Sequence, residues 1–101
     1  MESMDSRDKE ALKRELAQKA EVLKTMAHPV RLCILARLMV DGPCNVGGLQ
    51  SCLDVAQPTI SQHLGKLKAA GIVAAERNGK EMIYRISDGS IQTILQAILN
   101  D

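Results

Sequence analysis

Residues 57–68 decide the fold, and they read Gln57-Pro58-Thr59-Ile60-Ser61-Gln62-His63-Leu64-Gly65-Lys66-Leu67-Lys68. Ile60, Leu64 and Leu67 fall at i, i+4 and i+7, which is the spacing of a buried stripe on one face of an α-helix. The remaining positions are mostly polar, with short side chains near the start and lysines near the end. Short polar side chains suit base edges, and lysines suit phosphates. The stretch therefore predicts a helix that enters the major groove of DNA.

The residues before this helix predict a helix-turn-helix. Asn45 offers an N-cap for a short helix that ends near Asp54 and turns its apolar side chains inward. Residues 54–56 then form a short turn into the groove-binding helix, which we expect to stop at Gly71. The helix-turn-helix is predicted over about residues 45–71.

The residues after the helix predict a β-hairpin. Two extended segments, residues 72–77 and 80–87, flank Asn78-Gly79, a dipeptide that strongly favours a two-residue hairpin turn. Apolar residues alternate along the second segment, as they do in a half-buried strand. A hairpin in this place is the wing of a winged helix-turn-helix, and it is predicted over about residues 72–87.

Positive charge is concentrated on the predicted recognition helix and wing. The net charge of the chain is only +1, but residues 57–85 hold five Lys or Arg against two Glu. Lys66, together with Arg77 and Lys80 of the wing, lies on the side that a groove-bound helix would present to phosphates. This local excess favours a nucleic-acid partner.

Both ends of the chain predict amphipathic helices that need a partner. Apolar side chains form a narrow seam over residues 7–25 and repeat at i, i+3, i+4, i+7 and i+8 over residues 88–100. Between the first seam and the helix-turn-helix, Pro29 begins a helix that is apolar on too many sides to be exposed. The two terminal faces predict a homodimer. Two-fold symmetry would set the recognition helices about 34–36 Å apart and require a palindromic operator.

Length and composition predict one small domain over residues 1–101. The chain is 46% hydrophobic with a single aromatic residue, Tyr84, so its core is expected to be aliphatic and mainly helical. The predicted fold is mainly α with a small β-hairpin, in the order α-α-α-α-β-β-α. No apolar run approaches the roughly 20 residues of a membrane span, and the charged first ten residues do not form a signal sequence. We therefore expect a cytoplasmic protein with no membrane association.

Four motifs stand in order along the chain: LKTMAHPVRLCIL over residues 23–35, QPTISQHL over 57–64, AGIV over 70–73 and GKEMIYRI over 79–86. Together they resemble the opening signature, recognition helix, helix end and wing of the ArsR family of winged helix-turn-helix transcriptional repressors. The resemblance covers nearly the whole chain. It implies a dimeric repressor that leaves DNA when an inducer binds.

The resemblance also indicates which side chains meet DNA. Gln57, Ser61 and Gln62 match the positions that reach bases in the family, and His63 lies near the groove face, where it could touch phosphate. The full set of expected DNA contacts is Gln57, Thr59, Ser61, Gln62, His63, Lys66, Arg77, Asn78 and Lys80.

The familiar metal ligands of the family are missing. Metal-responsive relatives use a Cys-Val-Cys in the short helix, where this chain has Asn45 and Gly47. Asp88 matches one ligand of a zinc site in the last helix of other relatives, but no histidine follows it. Cys44 and Cys52, eight residues apart on a helix, would be separated by about 12 Å, too far for one ion with bonds near 2.3 Å. We expect no cofactor and no metal in a known geometry, and an unfamiliar metal site stays open.

Three cysteines, Cys33, Cys44 and Cys52, remain as candidate thiol sensors, and their odd number does not make a disulfide framework. Cys44 and Cys52 match apolar family positions, so burial as small hydrophobic residues is the simpler interpretation. Cys33 stands at a variable position, where its thiol could meet an oxidant, reactive sulfur or an arsenical. Thiol-sensing relatives pair such a cysteine with one in the last helix, which has none here. The effector is either thiol-directed, or the regulator has no metal or thiol inducer.

An enzyme and a protein-interaction module are the two alternatives to a DNA-binding regulator. An enzyme is not expected, because the sequence has no carboxylate pair, phosphate loop or nucleophile elbow. His28 and His63 have no catalytic partner at helical spacing, and His28 before Pro29 is expected to cap or turn the chain. A protein-interaction module without DNA affinity predicts that Gln57 and Ser61 can be changed to alanine without consequence.

Overall fold

The computed structural model describes residues 5–99, apart from the side chain of Cys52. Residues 1–4 and 100–101 of the predicted domain lie outside the described residues. No helix among the described residues is long and apolar enough to cross a membrane. Within them the chain forms five α-helices and one antiparallel hairpin: α1 (Ser6–Met26), α2 (Pro29–Asp41), α3 (Val46–Leu53), α4 (Gln57–Ala69), β1 (Val73–Asn78), β2 (Glu81–Ile86) and α5 (Gly89–Leu99). The predicted order of elements is confirmed.

The core is aliphatic, as the composition predicts, and α2 lies at its centre. This helix contacts α3, α4, α5 and β2. Within the described part of the chain, no polar or charged residue is buried as a whole, and the Arg37 Nε is the one buried side-chain polar atom without a hydrogen-bond partner. The buried side chains are Met26, Ile34, Leu35, Leu38, Leu49, Ile60, Leu64, Leu67, Ile72, Val73, Ile86, Ile91 and Leu95.

Side-chain caps fix where several helices begin. Asn45 caps α3, as predicted, by accepting a hydrogen bond from the Gly48 amide at 2.7 Å. His28 also confirms its predicted role, because its Nδ1 accepts from the Val30 amide at the start of α2. Such caps satisfy amides that the first turn of a helix leaves without a backbone partner.

The turn of the hairpin differs from the prediction by one residue. Asn78 pairs with Glu81 inside the antiparallel ladder, so the two turn residues are Gly79 and Lys80, and the predicted Asn78-Gly79 turn is wrong. A type I′ turn needs positive φ at both central residues. Here Gly79 has a φ of +68° and Lys80 does not have a positive φ, which is the pattern of a turn with glycine in the first central position.

Cys44 lies before α3 and not in it. Its amide donates to the Tyr84 carbonyl at 3.1 Å, and the Tyr84 amide donates back at 2.9 Å, which attaches this residue to the second strand of the wing. The expectation that Cys44 and Cys52 stand on one helix is therefore wrong, because α3 begins only after the Asn45 cap. The side chain of Cys52 lies outside the described residues.

Candidate DNA-binding surface

The recognition helix α4 has two distinct faces. Ile60, Leu64 and Leu67 are 0% exposed and fix one face against the core. The opposite side presents side chains that can donate and accept hydrogen bonds. The exposed polar residues of α4 are Gln57, Ser61, Gln62, Lys66 and Lys68, and Thr59 is half-buried at the edge. Burial of the apolar stripe thus determines which side chains point away from the protein.

The wing supplies the second part of the surface. Arg77, Asn78 and Lys80 are all exposed at or beside the tip of the hairpin. The tip is held because the Asn45 side-chain amide donates to a Glu81 carboxylate oxygen at 2.8 Å, joining the start of α3 to the start of β2. The wing is therefore attached to the helix-turn-helix by this hydrogen bond as well as by the backbone pairing described above.

His63 is partly buried and makes a contact that the sequence did not reveal. The Arg31 Nε donates to the His63 Nδ1 at 3.1 Å, and the rings of His28 and His63 have centroids 4.6 Å apart. Burial, His28, and the positive charges of Arg31 and Lys66 lower the pKa of His63 below its ordinary value. Arg31 and His63 are 32 residues apart on different helices, so no helical periodicity links them.

Cys33 is exposed and borders a small apolar pocket of about 120 Å³ lined by Pro29, Val30, Leu53 and Val55. This agrees with the expectation that its thiol is accessible. Cys44 is half-buried and packs against the core, close to its predicted burial.

Asp88, which matches a zinc ligand of other relatives, acts as a helix cap. One of its carboxylate oxygens accepts hydrogen bonds from the Ser90 amide at 2.9 Å and the Ile91 amide at 3.3 Å, at the start of α5. The Ser90 hydroxyl and then the Ile91 amide hold the pKa of Asp88 below its ordinary value. Across the described part of the chain, no three His, Cys, Asp or Glu residues are grouped so that they could hold a metal ion.

A helix with a polar exposed face, preceded by a short helix and a turn and followed by a hairpin with a basic tip, defines a winged helix-turn-helix DNA-binding protein. Residues 26–76 match a family of helix-turn-helix domains. The chain belongs to the ArsR family of winged helix-turn-helix transcriptional repressors, as the following relatives show.

The similarity extends along most of the chain. The chain is 40% identical over 88 residues to a biofilm growth-associated repressor of Agrobacterium fabrum, and the match covers 87% of this chain and 74% of the relative. The solved structure of the transcriptional repressor PagR of Bacillus anthracis has a TM-score of 0.79 at 35% identity and covers 85% of this chain and 98% of that one. The repressor BigR from Xylella fastidiosa gives a TM-score of 0.72 at 38% identity, with 94% and 93% covered.

These relatives place the chain among DNA-binding transcriptional repressors, which are not enzymes. The DNA-binding class replaces the alternative of an interaction module without DNA affinity. Which side chains touch DNA stays a prediction for all nine residues. All nine lie on the recognition helix or the wing. His63 differs from the other eight because its Nδ1 already accepts a hydrogen bond from Arg31.

Proposed function

We propose that the repressor acts as a homodimer that reads a palindromic operator with α4 and the wing. The two faces of α4 support this proposal, because its apolar stripe is wholly buried while its short polar side chains face outward. A helix of this kind can lie in the major groove without exposing its own core contacts.

The proposed contacts divide by position. Gln57, Ser61 and Gln62 stand in the first half of α4 and reach base edges. Lys66 and the three wing residues, Arg77, Asn78 and Lys80, contact the DNA phosphate backbone. Thr59 lies at the edge of the DNA-binding surface. His63 can contribute only through Nε2, because Nδ1 accepts from Arg31.

A gel-shift titration tests the reading of bases. The probe is a palindrome upstream of the protein's own gene, and the control is a scrambled duplex of the same length. Gln62→Ala should weaken operator binding by about 1–3 kcal/mol and leave scrambled-duplex binding nearly unchanged, because a base contact carries discrimination. An equal loss on both duplexes would show that Gln62 does not read bases.

The homodimer is supported by α1. Every residue from Ser6 to Glu21 is exposed, although an isolated helix is only marginally stable in water. Leu16 is 56% exposed and Leu23 is 51% exposed along the seam, and Ile98 of α5 is 55% exposed. Between α1 and α5 lies a groove of about 300 Å³ whose lining includes Val22, Leu23, Ile91 and Ile94. A second copy brings the same apolar residues to this face and satisfies two-fold symmetry.

We propose a thiol-directed effector that acts at Cys33, and operator binding that needs no metal or cofactor. The exposed thiol beside an apolar pocket supports the first part, since a reactive cysteine must be accessible. In gel shifts, arsenite, peroxide or a persulfide donor should release the wild-type protein from operator DNA but should not release Cys33→Ser. Cys44→Ser and Cys52→Ser are the matched variants, and they should respond as wild type does. EDTA should leave the shift unchanged. If the parent and all three variants respond alike, the regulator has no cysteine-based inducer.

A further inference from the structure

We propose that His28, Arg31 and His63 form a proton-sensitive clasp that holds the recognition helix against α1 and α2, and that acidification opens the clasp and weakens operator binding. The inference rests on the proposed operator reading by α4. The clasp joins three elements through one side chain, that of Arg31.

Arg31 stands in the first turn of α2 and bonds in two directions. Its Nε donates to His63 Nδ1 at 3.1 Å, and its Nη1 donates to the Thr25 carbonyl at 2.9 Å. Thr25 lies in the last turn of α1, where backbone carbonyls lack partners within the helix. One guanidinium therefore ties the end of the proposed dimerisation helix to the middle of the recognition helix.

The position of His63 makes this tie relevant to DNA reading. His63 directly follows Ser61 and Gln62, two of the proposed base contacts, and it precedes Leu64, which is buried. The hydrophobic stripe fixes which face of α4 points inward, but apolar contacts are not directional. A directional hydrogen bond at the centre of the helix adds a constraint on its rotation and on its position along its axis.

The contact exists only while His63 is neutral. Nδ1 accepts from Arg31, so the ring proton is on Nε2. When His63 takes a proton from water, Nδ1 carries hydrogen and faces the Arg31 donor, and the hydrogen bond is lost. The His28 ring packs beside the His63 ring, with the two ring centroids 4.6 Å apart.

The charges around His63 all oppose its protonation. They come from His28 before α2, from Arg31 of α2 and from Lys66 of α4 itself. Of the other elements that pack on α4, the short helix α3 has no charged residue, and α1 and β1 carry charges of both signs, none of which is among the groups that shift the pKa of His63. With its pKa lowered, folded protein binds fewer protons at His63 than unfolded protein does. The clasp is therefore complete above the ordinary histidine pKa of about 6.5 and is lost as pH falls through the lowered pKa of His63 in the folded protein.

His63→Asn separates the clasp from a phosphate contact. The Asn Oδ1 can accept from Arg31 near the position of Nδ1 but does not titrate, and every other residue is the same in the two proteins. The affinity of each protein for the upstream palindrome at pH 8 serves as its own reference, so the comparison is between pH responses and does not depend on the affinity that His63→Asn has at pH 8. Between about pH 8 and about pH 5, wild type should weaken about tenfold more than His63→Asn in a fluorescence anisotropy titration.

A second measurement needs no DNA. The pKa of His63, followed by NMR in the free protein, should lie below its ordinary value and should rise in Arg31→Ala, with circular dichroism to confirm that the variant is folded. An unchanged His63 pKa in folded Arg31→Ala would overturn the clasp. So would equal pH responses of wild type and His63→Asn, or tighter wild-type binding in acid, which would indicate a phosphate contact. If no duplex is preferred at pH 8, the proposed function fails and the NMR result alone decides the clasp.

Discussion

Ala56 is the residue that immediately precedes the recognition helix α4. It occupies the N-cap of α4 and makes no side-chain cap hydrogen bond. Its backbone carbonyl accepts hydrogen bonds from the Thr59 and Ile60 amides at 3.0 and 3.2 Å. Because alanine has no side-chain acceptor, the first turn of α4 lacks the cap that Asn45 gives to α3. The helix that we propose to face DNA, α4, is therefore less well capped at its start than α3.

Ala56→Ser should stabilise the free protein. Ala56 has φ −60° and ψ 141°, close to the extended backbone of an N-cap residue, so a serine hydroxyl can accept from the first turn. We expect a gain of about 1 kcal/mol in the free energy of unfolding, measured by urea denaturation. Ala56→Val adds bulk without an acceptor and is the control. Equal stability of the two variants would contradict a missing cap.

At the scale of elements, the wing is a short hairpin whose position depends on α3. Cys44 and Asn45 both attach to β2, one through the backbone and one through its side chain. An isolated two-stranded hairpin is at best marginally stable in water, so these attachments are needed to hold the basic tip beside α4. The wing can then add phosphate contacts at small entropic cost.

Lys80→Ala should change the salt dependence of DNA binding. If Lys80 neutralises a phosphate, its removal reduces the slope of log K against log salt by about 1 and weakens specific and nonspecific binding to a similar extent. Anisotropy titrations at several salt concentrations measure the slope. Lys13→Ala on α1 removes the same charge elsewhere and should leave the slope nearly unchanged. Identical slopes for Lys80→Ala and wild type would remove the wing tip from the interface.

The sequence predicts most of this architecture because periodicity is a local property. The stripe of α4, the Asn45 cap and the His28 cap follow from neighbouring residues. The hairpin turn was predicted one residue early because Asn-Gly is a strong local signal, and only the strand pairing places Asn78 in the ladder. The contact between Arg31 and His63 joins separate helices and depends on how they pack, so no local pattern could predict it.

At the scale of the whole molecule, the described chain leaves its longest helix almost without tertiary contacts. Met26 is the only buried residue of the 21 in α1, while leucines along its seam face solvent. The second terminal helix buries Ile91 and Leu95 but leaves Ile98 exposed. A second copy of the chain would remove these surfaces from water and set two recognition helices in fixed relation.

Leu16→Glu should separate the dimer. A carboxylate at the centre of an apolar seam must lose its hydration when the seam is covered, whereas the free monomer tolerates it at an exposed position. Sedimentation velocity should show dimers for wild type and monomers for the variant, with at least about tenfold weaker operator binding because the second half-site is no longer engaged together with the first. Gln18→Glu adds the same charge on α1 away from the seam and should remain dimeric. A dimeric Leu16→Glu would place the interface elsewhere.

The most direct test of operator reading by a dimer is selection of binding sites from a random DNA duplex library by the purified protein, followed by sequencing. We predict enrichment of a two-fold symmetric site whose half-sites are centred about 10–10.5 base pairs apart, or a multiple of that spacing, because two recognition helices must meet successive major grooves on one side of the duplex. Enrichment of an asymmetric single half-site, or of no sequence at all, would contradict it.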